Sequence, residues 1–427
     1  MAETSIARVV GRRVWDSRGR PTVEADVALA GGAAGRAIAP AGASTGSGEA
    51  VDRRDGGPRF GGWDVAGAVA AVNGEIAARL AGVDAADQAT VDAALVLLDG
   101  TPEKSRLGGN ATIAVSMAAA HAAAAAAGEP LWRVLADGEP AHLPLPEIQI
   151  FGGGVHAGRR VDVQDFMVVA VGASDYAQAL DWTAEVYRAA GSLMADAGKL
   201  QGVADEGGFW PAFATNEEAL DALTRAIERA GFRPGAEIAI SLDIAASAFG
   251  RDGRYRLGLE GRALDSDGMI DMLSGWLGRY PIVAIEDPLA EDDLAGLARF
   301  TARNPGVAVV GDDCIVTNAA RIREAAAAGA CNTALIKPNQ AGTLSETHAA
   351  FDAAAESGWS RIVSARSGET EDVTIVHLAV GWGAPMLKVG SFARSERMAK
   401  WNEGLRIAEA APCGGALPPK GAFAWGR

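Results

Sequence analysis

The sequence predicts an α/β protein in which an N-terminal α+β domain is followed by a modified (β/α)8 barrel. The chain has 427 residues, which is more than one ordinary core needs and leaves room for a barrel of about 250 residues. Strand-like segments followed by helices come first, and strands then alternate with helices to about residue 410. We therefore expect the first domain over residues 1–138 and the barrel with a C-terminal tail over residues 139–427.

The first domain begins with a predicted hairpin. The segments RVVGRRVWD and TVEADVALA flank the turn-prone SRGRP, and GRAIAPAG indicates a third strand. Helices are expected over 66–80, 85–98 and 110–127, the last with Asn110 as its N-cap and Gly128 at its end. This last segment is mostly alanine, which predicts a buried core helix and not a membrane span.

Two further segments complete the outline of the chain. The prolines of AHLPLPEIQI mark the predicted junction between the domains. Residues 411–427 are rich in glycine and proline, so we expect them to lie extended on the surface.

Composition limits the partners and the compartment. The net charge of −15 argues against nucleic acid and anionic membranes, so an anionic substrate needs local cations or a metal. Three widely spaced cysteines, Cys314, Cys331 and Cys413, favour a reducing cytoplasm. The first residues contain no apolar run, so we expect no secretory signal.

Four charged residues, Asp243, Glu286, Asp312 and Lys337, each follow an apolar run, at spacings of 43, 26 and 25 residues. One strand, one helix and two loops consume about that length, so the residues are predicted at the carboxyl ends of parallel strands. Any one of them alone would ordinarily be a solvated charge. Three converging carboxylates favour Mg²⁺, and a lysine beside that cation would have a depressed pKa and serve as a base.

The chain resembles the enolase family nearly from end to end. The matching stretches include DSRGRPTVE, GASTG, DEGGF, YPIVAIEDPLAEDD, LIKPNQAGTLSET and RSERMAKWNEGLRI. The resemblance implies two Mg²⁺ ions, one of them tightly held, a small anionic carboxylic acid bearing phosphate or phosphonate as substrate, and a homo-oligomer of at least two chains.

The resemblance also implies a role for each matching residue. Asp243, Glu286 and Asp312 match the ligands of the tightly held Mg²⁺, and Ser44 matches a lid serine that helps to hold the second ion. Lys337 matches the base, and Glu206 matches an acid that assists the leaving hydroxide. The resemblance implies that six residues contact the substrate: His156, Gln164, Glu286, Arg366, Ser367 and Lys388. Of these, Glu286 is also an implied metal ligand.

Two positions depart from the family inside the implied site. Ala365 stands where the family has a histidine, and Asp165, an implied catalytic acid, stands where it has a glutamate. The arginines Arg159 and Arg160 would meet an extra negative charge or be a solvated pair, and Trp210 would stack on a base or fill core. The loss of the histidine leaves space beside the two phosphate ligands, which favours a phosphorus that carries a group bulkier than oxygen.

These departures favour one branch of the family, the carboxyphosphonoenolpyruvate synthases of phosphonate antibiotic biosynthesis. A phosphopyruvate hydratase with an unusual site is the first alternative. A catalytically inactive paralogue that acts as a binding protein is the second, although it has no need of buried like charges.

Overall fold

The first domain is built on a three-stranded antiparallel sheet. A computed structural model describes residues 3–136, 138 and 140–426, so the predicted boundary falls beside Glu139, which lies outside the described residues. The strands are β1 (Ile6–Trp15), β2 (Pro21–Leu29) and β3 (Ala34–Ile38), in the order β1-β2-β3. The predicted hairpin and third strand are therefore confirmed.

Five α-helices follow this sheet. They are α1 (Ala66–Ala71), α2 (Ala77–Leu80), α3 (Gln88–Asp99), α4 (Gly109–Ala127) and α5 (Leu131–Leu135). A π-helical turn, Val72–Ile76, joins α1 to α2. The helix expected over 66–80 is therefore continuous but contains a π-bulge. The helix α3 begins three residues later than expected, where Asp87 accepts a hydrogen bond from the Thr90 N–H and caps it.

The alanine-rich helix α4 is the core of this domain. By length and composition it is apolar enough to cross a membrane, but 72% of that window is buried inside the protein. It ends at Gly128 as predicted. The prediction of Asn110 as N-cap is wrong, because Gly108 precedes the first turn and the Asn110 amide instead donates to Asp52 Oδ1 (2.9 Å).

The second domain is a closed eight-stranded barrel. The strands β4 and β5 pair antiparallel, as do β5 and β6, and the remaining neighbours are parallel, which confirms the modified barrel. Around the barrel the order is β10-β11-β12-β13-β14-β4-β5-β6, and β7, β8 and β9 form a separate small sheet between β6 and β10. The strands are β4 (Leu145–Gly152), β5 (Asp165–Val169), β6 (Ala239–Asp243), β7 (Gly250–Arg251), β8 (Arg254–Leu257), β9 (Arg262–Asp265), β10 (Ile282–Glu286), β11 (Ala308–Gly311), β12 (Thr333–Ile336), β13 (Ser360–Ser364) and β14 (Met386–Ser391).

Helices connect the barrel strands. They are α6 (Tyr176–Asp196), α7 (Asn216–Arg229), α8 (Ser266–Leu277), α9 (Leu294–Arg303), α10 (Ala319–Ala327), α11 (Pro338–Ala341), α12 (Leu344–Glu356), α13 (Thr374–Gly381) and α14 (Ser395–Ala410). The small sheet accounts for the longer spacing of 43 residues between Asp243 and Glu286, because it adds three strands to that crossover.

The C-terminal tail is docked, which corrects the expectation of an extended surface segment. The Ala416 carbonyl accepts a hydrogen bond from the Leu143 N–H (2.8 Å), and the Gly415 carbonyl accepts one from the Tyr176 N–H (2.9 Å). Phe423, which follows a short 3-10 turn, is buried against the barrel core. Burial of this ring holds the tail against the barrel, although the glycine and proline content of the tail predicted an extended segment.

The contact between β3 and α4 yields a stability prediction. A Cβ on Gly35 would overlap the backbone of Ala118 and Ala122 and come within 2.7 Å of the His121 carbonyl carbon. Because backbone cannot move aside cheaply, Gly35→Ala should lower the free energy of unfolding by about 1–3 kcal/mol, measured by denaturant titration. The control is Gly74→Ala, at an exposed helical position with open space around it, which should be neutral or stabilising.

Candidate active site

The charged residues that end the apolar runs meet at one end of the barrel. Asp243 and Glu286 are the last residues of the parallel neighbours β6 and β10, and they pair in register. Asp312 directly follows β11, and Lys337 directly follows β12. We call Asp243, Glu286 and Asp312 the carboxylate trio.

Two lysine ammonium groups lie among these carboxylates. The Lys388 Nζ atom, on β14, is 2.6 Å from Glu286 Oε2, 3.1 Å from Asp243 Oδ2 and 3.6 Å from Asp165 Oδ2. The Lys337 ammonium contacts Asp312 directly. All five side chains of the trio and the two lysines are nearly or fully buried, so each ammonium offsets charge that water does not reach.

The pKa directions follow from these contacts. Burial and the neighbouring Asp243 hold the pKa of Glu286 well above its usual value. Burial also raises the carboxyl pKa of Asp312, but the charge of Lys337 outweighs it, so that pKa is lowered. Burial alone would depress the pKa of Lys337, yet the charge of Asp312 outweighs it and the pKa is raised. A depressed pKa is expected for Lys337 beside a bound cation, and that expectation stays a prediction.

The carboxylate trio has the donor chemistry of a hard divalent cation site. It offers oxygen ligands only, and burial, together with the charge of Asp243, raises the pKa of Glu286, so a cation there would offset a cost that the ionised carboxylate carries. Oxygen donors of this kind suit Mg²⁺, which would share or replace the ammonium contacts of Lys388 and Lys337 on the same oxygens. The residues present therefore fit the ion.

Asp287 orders the strand end that carries Asp312. Its two carboxylate oxygens accept the backbone N–H groups of Asp312 (2.9 Å) and Asp313 (3.0 Å). The three aspartates lie close enough for their ligand atoms to fall within 4.8 Å of one another. Because both oxygens of Asp287 are already engaged with backbone donors, its role is to fix the loop.

A second cluster lies beside the trio, because Asp165 on β5 pairs in register with Asp243 on the neighbouring strand β6. His156 lies on a 3-10 turn, Gly154–Ala157, and its Nδ1 atom is 3.3 Å from Asp165 Oδ1 while its Nε2 atom is 3.8 Å from Glu206 Oε1. Although burial lowers the pKa of His156, the two carboxylates raise it overall. Burial raises the pKa of Asp165, but the charges of His156 and Lys388 lower it overall. We call His156, Asp165 and Glu206 the acid cluster.

Arg366, in the loop after β13, joins the barrel to the part of the first domain that covers the site. Its guanidinium donates to Glu49 Oε2 (2.9 Å), Asn339 Oδ1 (3.0 Å) and the Ser44 carbonyl (2.8 Å). The lid segment 43–49 is thus tied to the barrel. Ser47 adds a second tie, because its hydroxyl donates to Glu291 Oε1 (2.7 Å).

The remaining predicted substrate residues lie at the same end. Ser367 accepts a hydrogen bond from the buried Arg18 (3.1 Å), and Gln164 donates to Asp243 Oδ2 (3.0 Å). Ala365 is 8% exposed beside the Arg366–Ser367 pair. By contrast, Arg159 and Arg160 are exposed, as a solvated pair would be.

These groups enclose one small cavity. Its volume is about 30 Å³, enough for water but not for a phosphorylated acid, so a substrate must shift the lid or the lysine side chains. We call it the barrel-end cavity. Its lining residues are Ala43, Ser44, His156, Gln164, Asp165, Glu206, Asp243, Lys337, Ser364, Ala365, Arg366, Ser367 and Lys388.

Two buried residues of β4 belong to this region although the sequence motifs do not mark them. Gln149 contacts the acid cluster, and Glu147 accepts a hydrogen bond from Ser241 beneath Lys388. Burial raises the pKa of Glu147. Alternation along PEIQI places both on one face of a strand, which was the signal available for finding them.

Two known sequence families match this chain. The family described as "Enolase, N-terminal domain" matches residues 6–135. The family described as "Enolase, C-terminal TIM barrel domain" matches residues 140–416. The two matches together span nearly the whole sequence.

The opposite pKa directions of Glu286 and Asp312 predict opposite effects on stability. The pKa of Glu286 is raised, so its contribution is present below about pH 4.3 and is lost as the pH rises through its folded-state pKa. The pKa of Asp312 is lowered, so its contribution is present above about pH 3.9 and is lost as the pH falls through its folded-state pKa. At pH 8 in chelator, Glu286→Gln should therefore raise Tm and Asp312→Asn should lower it, each by about 2 °C or more.

Calorimetry of the two variants beside the parent, at pH 8 and pH 5, checks this prediction. The gain of Glu286→Gln should shrink at the lower pH, where the parent carboxyl is closer to neutral. Shifts of the same sign for both variants at pH 8 would contradict the charge assignment.

Proposed function

The chain belongs to the enolase family, and we propose that it forms an enolpyruvate from an acid of the 2-phosphoglycerate or phosphoenolpyruvate type, with carboxyphosphonoenolpyruvate synthesis as its reaction. That synthesis needs a second substrate, a phosphonate whose phosphorus already carries the carboxyl group together with a leaving group. The family match supports an enzyme of this superfamily. The specific reaction is inferred from the residues that depart from the family.

One observation carries the choice of reaction. Ala365 lines the barrel-end cavity directly beside Arg366 and Ser367, the pair inferred to bind phosphate. A methyl group in place of an imidazole leaves room on that side of the phosphorus. A phosphorus that bears a carboxyl group in place of one oxygen has the bulk and the charge to use this room.

Lys337 and Lys388 divide the first step between them. We infer that Lys388 binds the substrate carboxylate, because it matches the family lysine with that role and lines the barrel-end cavity. Lys337 accepts the proton from the adjacent carbon, whose electron pair then moves toward that carboxylate. A general base needs a free electron pair, so the hold of Asp312 on the Lys337 ammonium must weaken first.

Mg²⁺ on the carboxylate trio would supply positive charge that offsets the charge developing on the substrate carboxylate and competes with Lys337 for Asp312. Asp243, Glu286 and Asp312 would hold the first ion. The lid serine, Ser44, is proposed to help hold a second.

The acid cluster is proposed to assist the departure of the leaving group. His156 lies between Asp165 and Glu206, and the pair of carboxylates raises the pKa of its imidazole. Glu206 is proposed to assist a leaving hydroxide, with Asp165 holding His156 in place. The lid segment and Arg366 exclude water, which strengthens each of these contacts.

A phosphopyruvate hydratase is the second candidate. What favours it is that Lys337, Lys388, Glu206 and the carboxylate trio all line or border one site with no replaced group among them. Both candidates share the removal of a proton beside a carboxylate, and they differ in the bonds that form and break after it.

Removal of this proton can be tested apart from the later steps. Lys337→Ala should stop exchange of the C2 proton of 2-phosphoglycerate with deuterated water, because the base is lost, with a fall of about 10²-fold or more. Proton NMR of the recovered substrate measures it. The control is His348→Ala, on the outer face of α12, which should exchange at the parental rate. Persistent exchange in Lys337→Ala would assign the base elsewhere.

The reaction itself can be tested with 2-phosphoglycerate as the only organic substrate. The parent with Mg²⁺ should form phosphoenolpyruvate slowly or not at all, because loss of one such stabilising group costs about 10²–10³ in rate. Restoring Ala365→His and Asp165→Glu together should raise that activity, as followed by absorbance of the product. Turnover by the parent at rates ordinary for enzymes, about 1–10³ s⁻¹, would favour the hydratase over the synthase.

A further inference from the structure

Gln149 is a fully buried amide at the centre of the acid cluster. On β4, its Nε2 atom donates to Asp165 Oδ1 in a short contact and to Glu206 Oε2 at 3.4 Å. Its Oε1 atom accepts the Gly208 N–H at 2.8 Å. The amide thus engages both of its polar atoms, and each partner belongs to the cluster or to the loop that carries Glu206.

A neutral amide is suited to this place. Asp165 and Glu206 are two buried carboxylates around one imidazole, and they need donors between them. An amide supplies N–H groups to both without adding a charge of its own. The loop that carries Glu206 packs so closely on Gln149 that only glycine fits at position 208. A Cβ there would overlap Gln149 Oε1 and come within 2.8 Å of the Gly152 nitrogen.

We propose that Gln149 is a positioning residue that sets the separation of Asp165 and Glu206, and that its length is matched to the short side chain of Asp165. This inference rests on the proposed function for its role in the reaction. The length match rests only on the contacts. An acid longer by one methylene at position 165 has no free space toward Gln149, because the aspartate already touches the amide.

A double-mutant cycle in stability tests the length match. Asp165→Glu alone and Gln149→Asn alone should each lower Tm by about 2 °C or more, the first by crowding and the second by a lost contact. The double variant should return to within about 2 °C of the parent. The control pairs Asp165→Glu with Gln88→Asn, whose amide contacts Asp92 and Ser116 in the first domain, and its effects should simply add.

The outcomes of the cycle are distinct. Additive losses in Asp165→Glu/Gln149→Asn would overturn the length match. If Asp165→Glu does not fold alone, recovery of a folded protein by Gln149→Asn supports the match, and failure to recover it overturns the match.

A second measurement tests the positioning role. When Gln149→Asn is added to Ala365→His/Asp165→Glu, formation of phosphoenolpyruvate from 2-phosphoglycerate should rise about tenfold, because the lengthened acid gains its place. Gln88→Asn in the same background should give no such gain, because that amide lies in the first domain against Asp92 and Ser116. C2 proton exchange, which depends on Lys337, should change by less than about twofold on adding Gln149→Asn.

Failure of this inference differs from failure of the proposed function. If no variant forms product or exchanges the C2 proton, the proposed function fails, and coupling in stability still supports the length match. If product forms in the Ala365→His/Asp165→Glu background and Gln149→Asn adds nothing, the positioning role is overturned while the proposed function stands.

Discussion

The ammonium of Lys388 is the contact on which the carboxyl end of the barrel depends. It lies within 3.6 Å of oxygens from Asp165, Asp243 and Glu286, which come from three different strands. Buried carboxylates brought this close repel one another unless cations or donors lie among them. Lys337 does the same for Asp312. The charges of the site are therefore paired with one another. A divalent cation or an anionic substrate can bind only by replacing some of these ion pairs between lysines and carboxylates.

The barrel topology makes this convergence possible. Parallel strands β6, β10, β11 and β12 bring their carboxyl ends to one rim, while the antiparallel β5 brings its first residue there. Asp165 consequently pairs in register with Asp243, so the acid cluster and the carboxylate trio lie side by side. The first domain completes the enclosure from above, because Arg366 binds both Glu49 and the Ser44 carbonyl of the lid segment.

Sequence reasoning placed the trio and Lys337 well, because strand spacing decides which end of a barrel a residue reaches. It missed the features that depend on which side chains contact each other in the folded protein. The direct contact of Lys337 with Asp312, which raises the pKa of the lysine, does not follow from strand spacing. Asn110 does not cap α4, since a glycine precedes the first turn. The amide of Gln149 joins Asp165 and Glu206 from a strand with no motif, and only the folded register brings these residues together.

Calorimetric titration with Mg²⁺ tests most directly whether the carboxylate trio is a cation site. The parent should bind one ion tightly, and Asp243→Asn, Glu286→Gln and Asp312→Asn should each weaken that binding by about tenfold or more, which is about 1.4 kcal/mol. Asp352→Asn, at a half-exposed carboxylate on the outer face of α12, should bind as the parent does. Parental affinity in any variant of the trio would contradict this account of the site.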